Sequence, residues 1–229
     1  MLFQLIVSAL SSIERFSYDI YNNEDYKIDD FKVHVDNKFT SGSAIVNENM
    51  FMRYAAISEY NLKYKILLAE VAMYQEVRDS NNLLLPIFSS GVIRNSVMDD
   101  PVLAISSMMR NVNTFAVVSP SVKSSFAVTG DNAIHMLVRL AKQLNQLNSI
   151  GYYCYSLNME NIVLYDNQVY LYAYGTCTKD LRNGSFRTQL PFLFQADSEF
   201  IKALPYEVKS HIEIISQLTP SDFLIMVKQ

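Results

Sequence analysis

The sequence predicts an α+β protein in two parts, a strand-rich part followed by a mainly helical one. Three observations predict it. Short alternating or β-prone runs crowd the stretch before residue 57, helical spacing of apolar residues is sustained at 64–77 and 130–147, and a hairpin signature sits just behind the second helix. With 229 residues, 50% hydrophobic and 18% charged, the chain carries enough apolar material to offset the entropy of ordering it.

Taken in order, Leu2, Leu5, Ile6, Ala9, Leu10, Ile13 and Phe16 recur at three-and-four spacing and predict an amphipathic helix. It either packs on the domain or meets a partner or membrane surface. With no basic region before it and Glu14-Arg15 directly after, it does not read as a secretion signal. Phe31 to Val35 alternates like a strand, Phe39 to Ser43 reads as a turn, and Ser43 to Val46 with Met50 to Ile57 continue an antiparallel meander. A helix follows on Ile66, Leu67, Val71, Tyr74 and Val77, stopped by Asp79-Ser80-Asn81-Asn82. Leu83 to Phe88 and Pro101 to Met108 read as strands around a turn-rich Ser89 to Asp100, whereas Asn111 to Ser125 has no clear pattern.

Thr129-Gly130-Asp131-Asn132 caps the most periodic helix, whose apolar face is Ile134, Leu137, Val138, Leu140, Ala141, Leu144 and Leu147. Ile162 to Tyr165 and Val169 to Tyr172 form a hairpin about Asp166-Asn167-Gln168. After Gly175 the chain is loop-rich until a helix near Tyr206 to Leu218. The expected division is an N-terminal helix and extension over 1–30, a first part over 31–110 and a second over 111–229.

Composition excludes several classes of function. A net charge of −4 and a pI near 5.4 argue against gripping nucleic acid through bulk positive charge. Lys123, Lys142, Lys179, Arg182, Arg187 and Lys202 would at most gather into a local basic surface. Two cysteines, Cys154 and Cys177, are too few for a stapled secreted domain and lack zinc spacing, so a reducing, cytoplasmic compartment is expected, and Cys154, with no nucleophile elbow or base, reads as a buried structural thiol. His34, His135 and His211 lie far apart without ligand spacing, and no metal is expected. Six glycines disfavour a glycine-rich phosphate cradle, and no apolar run is long enough to span a bilayer.

One segment goes further. Ser149-Ile150-Gly151-Tyr152-Tyr153-Cys154-Tyr155-Ser156-Leu157-Asn158-Met159-Glu160-Asn161-Ile162-Val163-Leu164 resembles the protein kinase catalytic loop, H-R-D-L-x-x-x-N-I-L-L, with Leu157, Asn161, Ile162 and Leu164 at matching spacing. Tyr172-Ala173-Tyr174-Gly175 then falls where D-F-G belongs, in a form similar to the D-Y-G of the vaccinia-related and casein-kinase-one branch. The resemblance implies a two-lobed kinase-like fold with a strand-rich N-lobe and, over 111–229, a truncated C-lobe, since only 54 residues follow Gly175.

The same resemblance implies lost chemistry, because phosphoryl transfer rests on positioning and on charge from lysine, aspartate and metal ions. Ser156 stands for the catalytic aspartate and Ala173 for the metal-holding one. Ala55-Ala56-Ile57-Ser58 looks like V-A-I-K with serine for lysine, which would leave Glu70 on the next helix without its partner. Asn161 keeps only a bracing role, Phe39 to Val46 occupies the glycine-loop position with Gly42 alone, and no cofactor is expected.

Three functions follow as expectations. The first is a catalytically inactive kinase relative that binds another protein, an active kinase or an assembly component, or a second copy of itself. The second is a residual phosphotransferase recruiting Glu160 and Asp166, and the third is an unrelated structural or assembly protein. The truncated lobe would expose Leu190, Phe192 and Phe194 in one segment and Phe223 and Ile225 in another as interaction candidates, unless both segments fill its core. Tyr152, Tyr153, Tyr155, Met108 and Met109 are further interface-type residues. The bias toward Asn, Ile, Tyr and Asp suggests an AT-rich genome, and compact diverged kinase relatives are typical of large DNA viruses.

Overall fold

A computed structural model describes residues 19–21, 28–36, 39–46, 49–77, 82–93, 114–123, 127–155, 157–179 and 184–228. The expected N-terminal helix, the Pro101 to Met108 strand, Met109, Ser156 and Arg182 lie outside these residues. Helices and an antiparallel-rich sheet together make an α+β chain. It divides into two compact units, one of residues 1–72 with 86–121 and one of 73–85 with 122–229. Residues 114–120, expected to open the second part, belong to the first unit.

The first unit is a six-stranded sheet. Its strands are β1 (Asp19–Tyr21), β2 (Ile28–Asp36), β3 (Phe39–Val46), β4 (Met50–Ala56), β5 (Ser89–Ile93) and β6 (Thr114–Pro120), in the order β1-β5-β6-β4-β3-β2. All neighbours are antiparallel except β1 beside β5. The expected turn at Phe39 to Ser43 is instead the start of β3, where Gly42 pairs with Val33 on one side and Tyr54 on the other. Leu83 to Phe88 is not a strand. Its Pro86 brings no ladder donor, and the pairing falls on Ser89–Ile93, the stretch read as turn-rich.

Helix α1 (Leu62–Val77) follows β4. Its start is built by Asn61, whose Oδ1 accepts from the Lys63 amide at 3.1 Å while its Nδ2 donates to the Ala56 carbonyl at 2.7 Å. Leu67, Leu68 and Val71 of this helix close a core with Ala55, Phe115 and Val117, and Tyr64 meets Phe115 edge-on with ring centroids 5.8 Å apart. Tyr54 is also buried, and burial holds its phenol above its ordinary value because the phenolate is disfavoured away from water. A raised pKa in the folded state gives stability that is present below about pH 10 and lost as pH rises toward the folded pKa. Tyr54→Phe should therefore reduce the loss of stability above about pH 10, read from denaturation midpoints across alkaline pH.

The second unit is organised by α2 (Gly130–Ser149), whose inward face is Ala133, Met136, Leu137, Leu140, Ala141, Leu144 and Leu147. Ile134, expected on that face, is exposed. The Thr129 amide donates to Asn132 Oδ1 at 2.8 Å at its start. Gly151 ends it at φ +83°, a conformation that costs a side chain dearly and glycine little. Strands β7 (Tyr152–Tyr153) and β10 (Thr178–Lys179) form one small ladder, and β8 (Ile162–Tyr165) with β9 (Gln168–Leu171) forms the expected hairpin. Asp166 and Asn167 both take positive φ in its two-residue turn, which aspartate and asparagine tolerate best among residues with a side chain.

Beyond β10 come α3 (Phe186–Gln189), α4 (Glu199–Ala203), α5 (Tyr206–Lys209), α6 (Ile212–Gln217) and α7 (Pro220–Met226). The single helix expected near Tyr206 to Leu218 is thus two short helices with a break at Ser210 and His211. An aromatic chain holds this region together: Phe186 lies edge-on to Phe223 at 5.2 Å, and Phe194 bridges Phe186 at 6.1 Å and Phe200 at 6.0 Å. Among the described residues no helix is long and apolar enough to cross a membrane.

Candidate functional site

Ser58 lies past the end of β4, where its Oγ accepts from the Tyr60 amide at 3.2 Å and its carbonyl from the Asn61 amide at 3.0 Å. It shapes the turn into α1. Glu70, expected to lack a partner, has one: Arg53, in the middle of β4, donates from Nη1 at 2.8 Å and from Nη2 at 2.7 Å to its two carboxylate oxygens. The side chains are 11% and 3% exposed, so this is a buried bidentate pair. The sequence reading did not single out Arg53. The signal was present, since Arg53 is the lone charge in Met50-Phe51-Met52-Arg53-Tyr54-Ala55-Ala56.

In the second unit, Asn161 and the Ala173 to Gly175 turn come together. The Asn158 amide donates to Asn161 Oδ1 at 3.0 Å, Asn161 Nδ2 donates to the Tyr172 carbonyl at 3.2 Å, and the Tyr172 amide returns to the Asn161 carbonyl at 2.8 Å. One side chain thus ties the loop before β8 to the exit of β9. Asn161→Ala should cost about 1–2 kcal/mol, and Asn161→Asp, which keeps the acceptor and loses the donor, about half of that. Denaturant midpoints measure both. Ala173 sits at φ +51°, a left-handed conformation that alanine adopts with strain and that aspartate or asparagine enters more readily. Tyr174 and Gly175 are buried directly behind it.

A second missed residue is Gln143, the one amide on the apolar face of α2. Its Oε1 accepts from the Leu171 amide at 2.7 Å and its Nε2 donates to the Val169 carbonyl at 2.9 Å, fixing β9 to the helix.

Cys154 and Cys177 are joined in a disulfide, which corrects the reading of Cys154 as a free buried thiol and removes the argument for a reducing compartment that rested on the cysteine count. The pairing is a matter of register. Thr178 faces Tyr153 and Lys179 faces Tyr152 across the β7–β10 ladder, so one residue further on Cys177 faces Cys154.

The interaction candidates divide. Leu190, Phe194 and Phe223 are buried in the second unit's core, so for these three the core-filling alternative holds and exposure does not: Phe194 and Phe223 pack on Phe186, and α7, which carries Phe223, packs on α2. Phe192 is half-buried, and Ile225 is 57% exposed. Tyr155 and Met159, flanking the loop that Asn161 braces, are 38% and 43% exposed. Three of the residues named for a local basic surface have acidic partners, Arg187 with Glu213 and Lys202 with Glu199, both at 3.0 Å, and Lys179 3.8 Å from Glu76. No family model matches the chain, and no curated protein matches it.

Proposed function

We propose that this chain is a catalytically inactive kinase-like protein that works by binding another protein, as a regulator or an assembly subunit. The observation that carries the reading is a braced loop and turn with no carboxylate at the turn. Asn161 braces the loop against Tyr172, and the next residue holds the left-handed backbone that suits aspartate, yet it is Ala173 and offers no metal ligand. Support comes also from the first unit, where three meandering strands, a helix and two more strands follow in the order a kinase-like N-lobe requires. There Arg53 spends both terminal nitrogens on Glu70.

The residual-enzyme reading gains nothing from the geometry. Asp166 sits at the tip of the hairpin, while Glu160 precedes its base, and the four residues of β8 separate them by roughly 13 Å. Those two carboxylates do not converge on one phosphoryl group.

The test has two arms. Thermal shift with ATP and Mg²⁺ should give no stabilisation, and a shift that demanded low-micromolar affinity, roughly −8 kcal/mol of binding, overturns the inactive reading. Affinity purification from the cells that make the protein should then recover a partner that Tyr155→Asp or Met159→Asp releases. Identical co-purifying proteins for wild type and both variants would remove this loop from the binding surface.

A further inference from the structure

We infer that the Cys154–Cys177 disulfide is a redox-operated clamp, which a dithiol reductant opens from the Cys177 side to free β10 while the rest of the second unit stays folded. The two half-cystines are anchored unequally. Cys154 is 0% exposed and follows buried Tyr153; Tyr155 beside it is 38% exposed, and three residues on the buried Leu157 anchors the segment, its amide donating to the Gln189 carbonyl at 3.0 Å. Cys177 is 5% exposed, and its neighbours Thr176, Thr178 and Lys179 are all exposed.

Among the described residues, the other contacts of β10 are slight. The strand has two residues and faces two, a length at which a ladder does not sustain itself. Lys179 adds a cation–π contact, its Nζ 5.0 Å from the centre of the Tyr152 ring, and an ion pair to Glu76 whose side chains are both about half exposed and therefore screened. Among the described residues the disulfide is the strongest link between β10 and the unit, and an outward excursion of this short exposed strand is the route by which a reagent reaches it.

The chemistry balances with a dithiol as reductant. Its thiolate attacks the Cys177 sulfur, the Cys154–Cys177 bond breaks, and Cys154 leaves as a thiolate that takes up a proton. The reductant's second thiol then attacks the mixed disulfide, releasing Cys177 as a thiol and the reductant as its cyclic disulfide. Two electrons pass from reductant to cystine. This inference is independent of the function proposed above.

The experiment uses the full chain purified without reductant, then treated with dithiothreitol under native conditions. Three results are expected: alkylation by iodoacetamide at Cys177 ahead of Cys154, amide exchange at Tyr152, Tyr153, Thr178 and Lys179 faster by about tenfold or more, and unchanged protection in α2. The variant Cys154→Ala/Cys177→Ala should show the same exchange pattern with no reductant present. Free thiols in the untreated protein overturn the proposal, as does unchanged exchange after reduction. Loss of α2 protection, or a double variant that fails to fold, overturns it too, since the bond would then hold the whole unit.

Discussion

Replacing Arg53 with methionine should destabilise the first unit by about 3–5 kcal/mol, because it strands the Glu70 carboxylate in a site that water barely reaches. The methionine fills much of the arginine's volume, so the cost reports the uncompensated charge rather than a cavity. The companion variant Arg53→Met/Glu70→Leu removes both charges and should recover most of the loss, since a well-packed apolar pair often equals or exceeds a buried ion pair in stability. Urea denaturation of the four proteins in this double-mutant cycle supplies the coupling energy. A single variant as stable as the wild type would show that solvent or another cation reaches Glu70.

Gln143→Leu should cost about 2–5 kcal/mol, from the Leu171 amide and the Val169 carbonyl losing their amide partner in a dry site. The damage should be local. Hydrogen exchange in the Ile162–Leu171 hairpin should accelerate more than exchange in α2, because the glutamine holds strand to helix and the helix keeps its own ladder. Gln143→Glu is expected to cost at least as much, because a carboxylate accepts from Leu171 but gives nothing to Val169 and brings a charge into the core. An unperturbed hairpin in both variants would show that β9 is held by its pairing with β8 alone.

The parts of the fold legible in the sequence are those set by local chemistry. Asp166-Asn167 announces a turn because few other residues tolerate two successive positive φ values, and the 130–149 helix is fixed by its periodicity, by the Thr129 and Asn132 start and by the Gly151 stop. The misread parts are those decided by partners distant in sequence. Leu83 to Phe88 looks more strand-like than Ser89 to Ile93, yet the latter pairs with β6 and the former does not. The serine, threonine and glycine of β3 suggest a turn until strands on both sides claim their backbone groups. Apolar runs such as Leu190 to Phe194 state that something covers them without saying what, and here it is the Phe186 cluster.

The candidate site follows the same division. Asn161 and Ala173 could be found by spacing along one continuous segment, whereas the Arg53–Glu70 pair and the Cys154–Cys177 bond depend on strand register and on which way a helix turns its face. Each of these two was visible as composition only. A lone arginine stood among apolar residues, and two cysteines stood 23 residues apart.

Neither compact unit is a single stretch of chain, and that bears on how the protein is made. Residues 82–85 are synthesised long before residues of their own unit that they meet: Leu84 and Leu85 are buried, and the Leu83 amide donates to Gln146 Oε1 at 2.9 Å. At ordinary translation speeds of about 5–20 residues per second, Gln146 leaves the ribosome about 3–12 s after Leu85. For that interval the nascent chain carries the apolar stretch Leu83-Leu84-Leu85 without its cover, long enough for a chaperone that recognises short aliphatic peptides to bind it. The first unit gains no head start either, because β6 emerges only at residue 120. A single break in the gene anywhere between residues 72 and 122 therefore parts at least one unit from a piece of itself.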